Sequence, residues 1–196
     1  MTPKFKITVC ASCGGGLFKE LINNQHSKGY SIEKLIVNRE CGAIHIAKQN
    51  KIPVVEIQTA NTQEFNKRFI EEISSDTDLI VLAGYLPIIP SELCELFDNK
   101  IINVHPSLLP KYGGKGMYGL KVHEAVMKNK ERYTGYTIHY VSRVIDGGEI
   151  ILQEQIEIDY SLSPWQLGGV VFEMSAKGLI AVIEEIFNCK KDYVNK

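Results

Sequence analysis

Phe5-Lys-Ile-Thr-Val-Cys-Ala-Ser-Cys-Gly-Gly-Gly-Leu-Phe-Lys-Glu-Leu-Ile-Asn-Asn-Gln25 runs from a β-rich segment through three consecutive glycines into a helical pattern. The first part reads as a strand over 5–10 and the last as a helix over 17–25. A strand that turns through glycine straight into a helix is the start of a β-α-β unit, and the same alternation continues along the chain. Further strands are expected over 34–37, 54–57, 79–83 and 101–105. Helices are expected over 42–50, 62–74 and 91–97, the last with Ser91 as its capping candidate. Such alternation places successive strands parallel through right-handed crossovers, with helices on both faces of a twisted sheet. The fold class is therefore α/β, Rossmann-like and mostly parallel.

Beyond residue 105 the texture changes. Lys111-Tyr-Gly-Gly-Lys-Gly-Met-Tyr-Gly119 is rich in Gly and Lys and reads as a mobile, exposed loop, followed by a helix over 121–128. Two β-rich runs over 134–141 and 149–158 are joined by a turn containing Asp146-Gly-Gly148, which predicts an antiparallel hairpin. Leu167, Val171, Met174, Leu179, Val182 and Ile186 then pattern one long helix over 164–187, in which Gly168-Gly169 and Gly178 either bend the axis or permit close packing. With neither an internal repeat nor a low-complexity linker, the expectation is a single domain over 1–196, divided into halves at about residue 100.

With 196 residues the chain buries roughly 70% of its unfolded surface, enough for an independent core. A formal net charge of −1 provides no basic field for nucleic acid. Met1-Thr-Pro-Lys leads into the first strand without a signal-peptide core, and no apolar run approaches the ~20 residues of a membrane span. Five cysteines, an odd number without an export signal, suggest reduced thiols and a cytoplasmic location.

The chemistry is concentrated in Asn103-Val-His-Pro-Ser-Leu-Leu-Pro110, Thr137-Ile-His-Tyr140 and Asp146-Gly-Gly148. Alternate side chains of a strand share a face, so Asn103 and His105 point the same way before Pro106 ends the strand. An amide, an imidazole and a carboxylate suit acyl transfer without a covalent nucleophile. His105, His139 and Asp146 also permit a two-His, one-carboxylate metal reading, and a structural polar cluster is a third possibility. Asn103 favours the metal-free site, because an amide is a poor transition-metal ligand and a good oxyanion donor. His26, His45 and His123 read as surface or structural residues.

Cys13-Gly-Gly-Gly16 is a glycine-rich turn whose backbone N–H groups and helix end suit an anion. It has neither the Lys-Ser/Thr ending of a Walker loop nor Gly-x-Gly-x-x-Gly spacing. Cys10-Ala-Ser-Cys13 has the spacing of a redox pair, but Cys10 belongs to the buried strand rather than to a helix N-terminus. Cys41, Cys94 and Cys189 supply no second pair for zinc.

In order and spacing, the Asn103–Pro110, Thr137–Tyr140 and Asp146–Gly148 elements resemble the folate-dependent formyltransferases. The closest likeness is to the branch acting on glycinamide ribonucleotide in purine synthesis. The likeness extends from the glycine turn through Leu82-Ala-Gly-Tyr85 to the last helix. It implies direct formyl transfer from 10-formyltetrahydrofolate, a co-substrate, with no metal. Asn103, His105 and Asp146 would be the catalytic group, supported by His139, Thr137 and Ser107. Asn103 would donate to the oxyanion, His105 would stabilise that charge or shuttle a proton, and Asp146 would orient His105 or a bridging water. Cys13, Gly14, Gly15, Gly16, Gly84 and Pro106 would form the phosphate and substrate side, with Glu173 holding ribose hydroxyls. Leu86, Ile88, Ile89, Val141, Ile145 and Asp146 would form the folate wall. The phosphate side would belong to the N-terminal half, and the catalytic and folate sites to the C-terminal half.

Two departures from the family pattern stand out. Gly15-Gly16-Leu17 replaces the usual Gly-Ser/Thr-Asn continuation, and the 111–119 loop is a few residues longer, with Lys115 a candidate to supply the missing anion contacts. Partners would be small molecules, without nucleic acid or membrane, acting on a monomer or homodimer. A chain ending at Lys196 is expected to lack the tRNA-binding module of the methionyl-tRNA members. An extra N-terminal domain, usual in formyl-folate hydrolases, is likewise not expected. A formyltransferase for a nucleotide-linked amino sugar and a silent folate- or nucleotide-binding homologue are the rival readings.

Overall fold

The computed structural model describes residues 5–73 and 75–194. Met1–Lys4 and the expected helix end at Ser74 lie outside the described residues. The chain runs β1 (Phe5–Ala11), α1 (Gly16–Asn24), β2 (Tyr30–Val37), α2 (Gly42–Gln49), β3 (Val54–Glu56), α3 (Thr62–Glu72), β4 (Leu79–Leu82), α4 (Ser91–Leu96), β5 (Ile101–His105), α5 (Leu120–Lys128), β6 (Tyr133–Tyr140), β7 (Ile150–Glu157) and α6 (Pro164–Val194). One seven-stranded sheet has the order β3-β2-β1-β4-β5-β6-β7. Its first five strands pair in parallel, and β6 and β7 continue it antiparallel.

The core follows from period-2 alternation in strands buried on both faces. Ile7, Val9, Leu35, Val37, Leu79, Val81 and Ile102 join one apolar cluster with residues of α1, α2 and α6. Their neighbours Cys10, Ile36, Ile80, Leu82 and Ile101 join a second cluster with α3 and α4. Adding every second position along β5 puts Asn103 and His105 on the side of Ile101, the α3/α4 side.

Several expectations shift in detail. The N-cap of α4 is Pro90, whose extended φ of −60° and ψ of 151° let Ser91 begin the helix itself. The β6–β7 connection is a long excursion over 141–149 rather than a tight turn. Helix α6 continues well past residue 187 as a 31-residue element. Two of its three glycines serve close packing: a Cβ on Gly178 would stand 2.7 Å from Tyr136 Cζ, and one on Gly168 would stand 2.9 Å from His123 Cδ2, whereas one on Gly169 would meet nothing within 4 Å.

Strand β1 is bordered by β2 on one side and β4 on the other, so the chain reverses its direction of growth across the sheet between them. Such a switch point opens a crevice beyond the carboxyl ends of the strands. The glycine turn after β1 and the 83–89 segment after β4 both meet there.

Candidate functional site

A cleft of about 1140 Å³ occupies that crevice, walled by residues 13–17, 82–89, 103–106 and 114–121, by the β6–β7 connection and by one side of α6. Strand pairing builds its chemical centre. In the β5/β6 register Asn103 lies opposite His139 and His105 opposite Thr137.

The His139 ring fixes the orientation of Asn103. Nδ1 of His139 lies 2.9 Å from the Tyr140 carbonyl oxygen, which only an N–H can approach favourably, so in the neutral ring Nε2 is the acceptor. Burial, the larger effect, holds the His139 pKa below its ordinary value against the opposing influences of the Tyr140 carbonyl and Asp146. Nε2 therefore accepts from Nδ2 of Asn103 at 3.1 Å. One amide N–H is committed to His139, and the second remains available on a side chain that lines the cleft.

His105 is almost fully buried, and its Nε2 donates to the Tyr112 carbonyl at 2.8 Å. Its Nδ1 faces Oδ2 of Asp146 at 3.6 Å, and the other carboxylate oxygen lies 3.7 Å from His139 Nε2. A proton arriving at His105 Nδ1 thus finds a carboxylate opposite it. Asp146 is itself held in the left-handed region, φ 54°, and accepts from the Gly114 N–H at 2.8 Å. That bond joins the β6–β7 connection to the 111–119 loop. The loop is therefore partly tucked in: Tyr112–Gly114 and Met117 are half-buried, while Lys111, Lys115, Gly116, Tyr118 and Gly119 are exposed.

Thr137 and Ser107 are buried outside the cleft lining and brace the segment after β5. The Thr137 hydroxyl donates to Ser107 O at 2.7 Å and accepts from Leu109 N–H at 3.1 Å and Gln153 Nε2 at 2.9 Å. Ser107 Oγ donates to Lys111 O at 2.7 Å.

Cys13, Gly14, Gly15, Gly16, Gly84 and Pro106 all line the cleft, as do Leu86, Ile88, Ile89, Val141 and Ile145. Glu173 does not. It is exposed on α6, while Gly168, Val171, Phe172 and Ser175, spaced at three and four residues, form the cleft side of that helix. Cys10 is fully buried, which drives its thiol pKa far up, so Cys10 and Cys13 differ too much in environment to form a redox pair. Among the described residues no group of three His, Cys, Asp or Glu side chains is arranged to hold a metal, and no helix is long and apolar enough to cross a membrane.

Sequence reasoning missed four residues of the site. Ser12 accepts the Leu86 N–H at 2.9 Å and donates to Asn38 at 2.6 Å, tying the two switch-point segments together. Arg39 lines the cleft beside the glycine turn and donates from Nε to Ser12 O at 2.9 Å. Its place just after β2, at a strand's carboxyl end, was the available signal. His123, read as surface or structural, is buried in the cleft wall with Nδ1 unpartnered. Burial, then the nearby His105, keeps its pKa low. Phe172 is the fourth.

A doubly wound sheet with a switch-point cleft, and an Asn, two His and an Asp converging at its centre, defines an α/β protein with a polar site built into one open crevice. Residues 5–183 match the formyl transferase family, and the chain belongs to it. A phosphoribosylglycinamide formyltransferase of Arabidopsis thaliana is 34% identical in an alignment of 189 residues that covers 92% of this chain and 65% of that protein. One from Bacillus subtilis is 32% identical over 161 residues, 79% of this chain and 80% of that protein. The structure of the Coxiella burnetii phosphoribosylglycinamide formyltransferase superposes with a TM-score of 0.84 at 26% identity, covering 93% of this chain and 86% of that one. This chain spans less than two thirds of the length of the two plant relatives, 65% in Arabidopsis and 60% in Vigna unguiculata.

Proposed function

We propose that this chain transfers the formyl group of 10-formyltetrahydrofolate to the amine of glycinamide ribonucleotide. The observation that carries the reading is Asn103 held by neutral His139 beside a His105–Asp146 pair, all opening into one two-sided cleft. The acceptor amine attacks the formyl carbon, and negative charge collects on the formyl oxygen. The free N–H of Asn103 donates to that oxygen, a contact worth roughly 3–4 kcal/mol in comparable sites. His105, backed by Asp146, takes the proton shed by the attacking nitrogen and returns one to the departing folate nitrogen as its bond to the formyl carbon breaks. The products are the formamide and tetrahydrofolate.

The folate ring would lie against an apolar wall of buried Ile89, half-buried Leu86 and Val141, and exposed Ile88 and Ile145. The acceptor's phosphate would take the backbone N–H groups of the Cys13–Gly16 turn, with Arg39 and Lys115 supplying positive charge in place of absent polar side chains. Five free cysteines favour a compartment that keeps thiols reduced.

Incubation with formyl-folate and glycinamide ribonucleotide, followed by mass spectrometry of the acceptor, is the test. Formylated glycinamide ribonucleotide is expected. Tight folate binding without turnover would make the chain a silent binding homologue, and turnover only with a nucleotide-linked amino sugar would reassign the acceptor. In the double variant Arg39→Ala, Lys115→Ala the KM for the phosphorylated acceptor should rise by about tenfold or more, the loss of a charge-assisted contact. An unchanged KM would remove the phosphate from this position.

A further inference from the structure

Phe172 is 38% exposed, an open aromatic ring on the wall of a concave site, whereas Val171 beside it is buried. Large apolar surface left open in a cleft is surface that a ligand covers. The same ring dictates the residue facing it. A Cβ at position 16 would stand 2.8 Å from Phe172 Cζ and 2.9 Å from Cε2, so any side chain there must push the ring aside. Gly16 is absent from the positive-φ glycines, so its backbone does not require glycine. The ring does.

The two residues therefore act as a pair. Gly16 begins α1 and shows the cleft only backbone, and Phe172 covers the adjoining space. Of the α6 residues that line the cleft only Ser175 is polar. The Ser175 hydroxyl is spent on the Phe172 carbonyl at 2.9 Å, and Glu173 lies outside the lining.

We infer that Phe172 is the platform on which the acceptor's sugar packs by its C–H face, through dispersion and exclusion of water, and that Gly16 is kept free of a side chain to seat that platform. The inference deepens the glycinamide ribonucleotide reading and rests on it.

Steady-state kinetics with glycinamide ribonucleotide and 10-formyltetrahydrofolate on the wild type, Phe172→Ala, Phe172→Leu, Gly16→Ala and the Gly16→Ala, Phe172→Ala double variant test it, with thermal melts alongside. For Phe172→Ala the acceptor KM should rise about tenfold while kcat and the folate KM stay within about twofold. Phe172→Leu should fall between it and the wild type. Gly16→Ala should raise the acceptor KM by tilting the ring, yet change it by less than about twofold in the Phe172→Ala background. An unchanged acceptor KM in Phe172→Ala, equal rises in both KM values, or additive effects of the two substitutions would overturn the platform alone. A wild type that does not formylate glycinamide ribonucleotide would overturn the function reading and the platform with it.

Discussion

At the scale of single residues, Asp146 does two things at once. It faces both histidines, and it holds the 111–119 loop through the Gly114 N–H from a backbone conformation most side chains avoid. Asparagine tolerates that conformation and can still accept from Gly114, so Asp146→Asn isolates the charge from the fold. Its kcat should fall by orders of magnitude while the melting temperature stays put. Near-normal kcat would end the proton-handling role. Asn103→Ala removes the oxyanion donor and should cost roughly 10²–10³ in kcat. A loss confined to KM would mean that the amide binds substrate and does not stabilise charge.

At the scale of elements, β5 was readable down to its face, whereas α6 was readable as a long helix but not in the side it turns to the cleft. Asn103 and His105 alternate with apolar residues on a strand that a proline must end, so their shared face follows from the pleat alone. Their partner His139 depends on the antiparallel register of β6, which arrives from beyond a loop and a helix and leaves no mark in local pattern. Helix α6 posed the opposite difficulty. Its apolar pattern is strong around most of its surface, so periodicity did not say which stripe meets the cleft; Glu173 came from the family resemblance alone and lies one position away from Phe172, which lines the cleft. The helix was likewise expected to end at 187 because the apolar pattern ends there, whereas the backbone ladder continues. Its Gly178 is legible only once β6 is in place. Gly178→Ala should improve helix propensity, yet its Cβ would stand 2.7 Å from Tyr136 Cζ. Overpacking wins: the variant should lose about 1–3 kcal/mol in denaturant unfolding. A gain in stability would show that Tyr136 moves aside at no cost.

At the scale of the whole molecule, two buried histidines set an acid limit on the fold. Burial is the main cause holding His123 and His139 below the free-imidazole value of 6.5 in the folded state. Between 6.5 and those lower values the unfolded chain takes up protons that the folded chain refuses, so stability present above 6.5 is lost as pH falls through the folded values. Melting temperature should therefore drop on acidification from pH 7.5 to 5, and His123→Gln should flatten that slope. A slope unchanged in the variant would assign the acid sensitivity elsewhere.

The sheet order carries one more consequence, and it concerns biosynthesis. Strand β1 is central, yet its second neighbour, β4, comes late: Ile7 pairs with Leu79 across the intervening chain. At roughly 5–20 residues per second on the ribosome, the 72-residue separation of those partners takes about 4–14 s to appear. For that interval an apolar ribbon emerges with one edge open. The nascent chain thus passes through a stage at which a chaperone or another copy of the same segment competes with β4 for the strand that later carries the glycine turn.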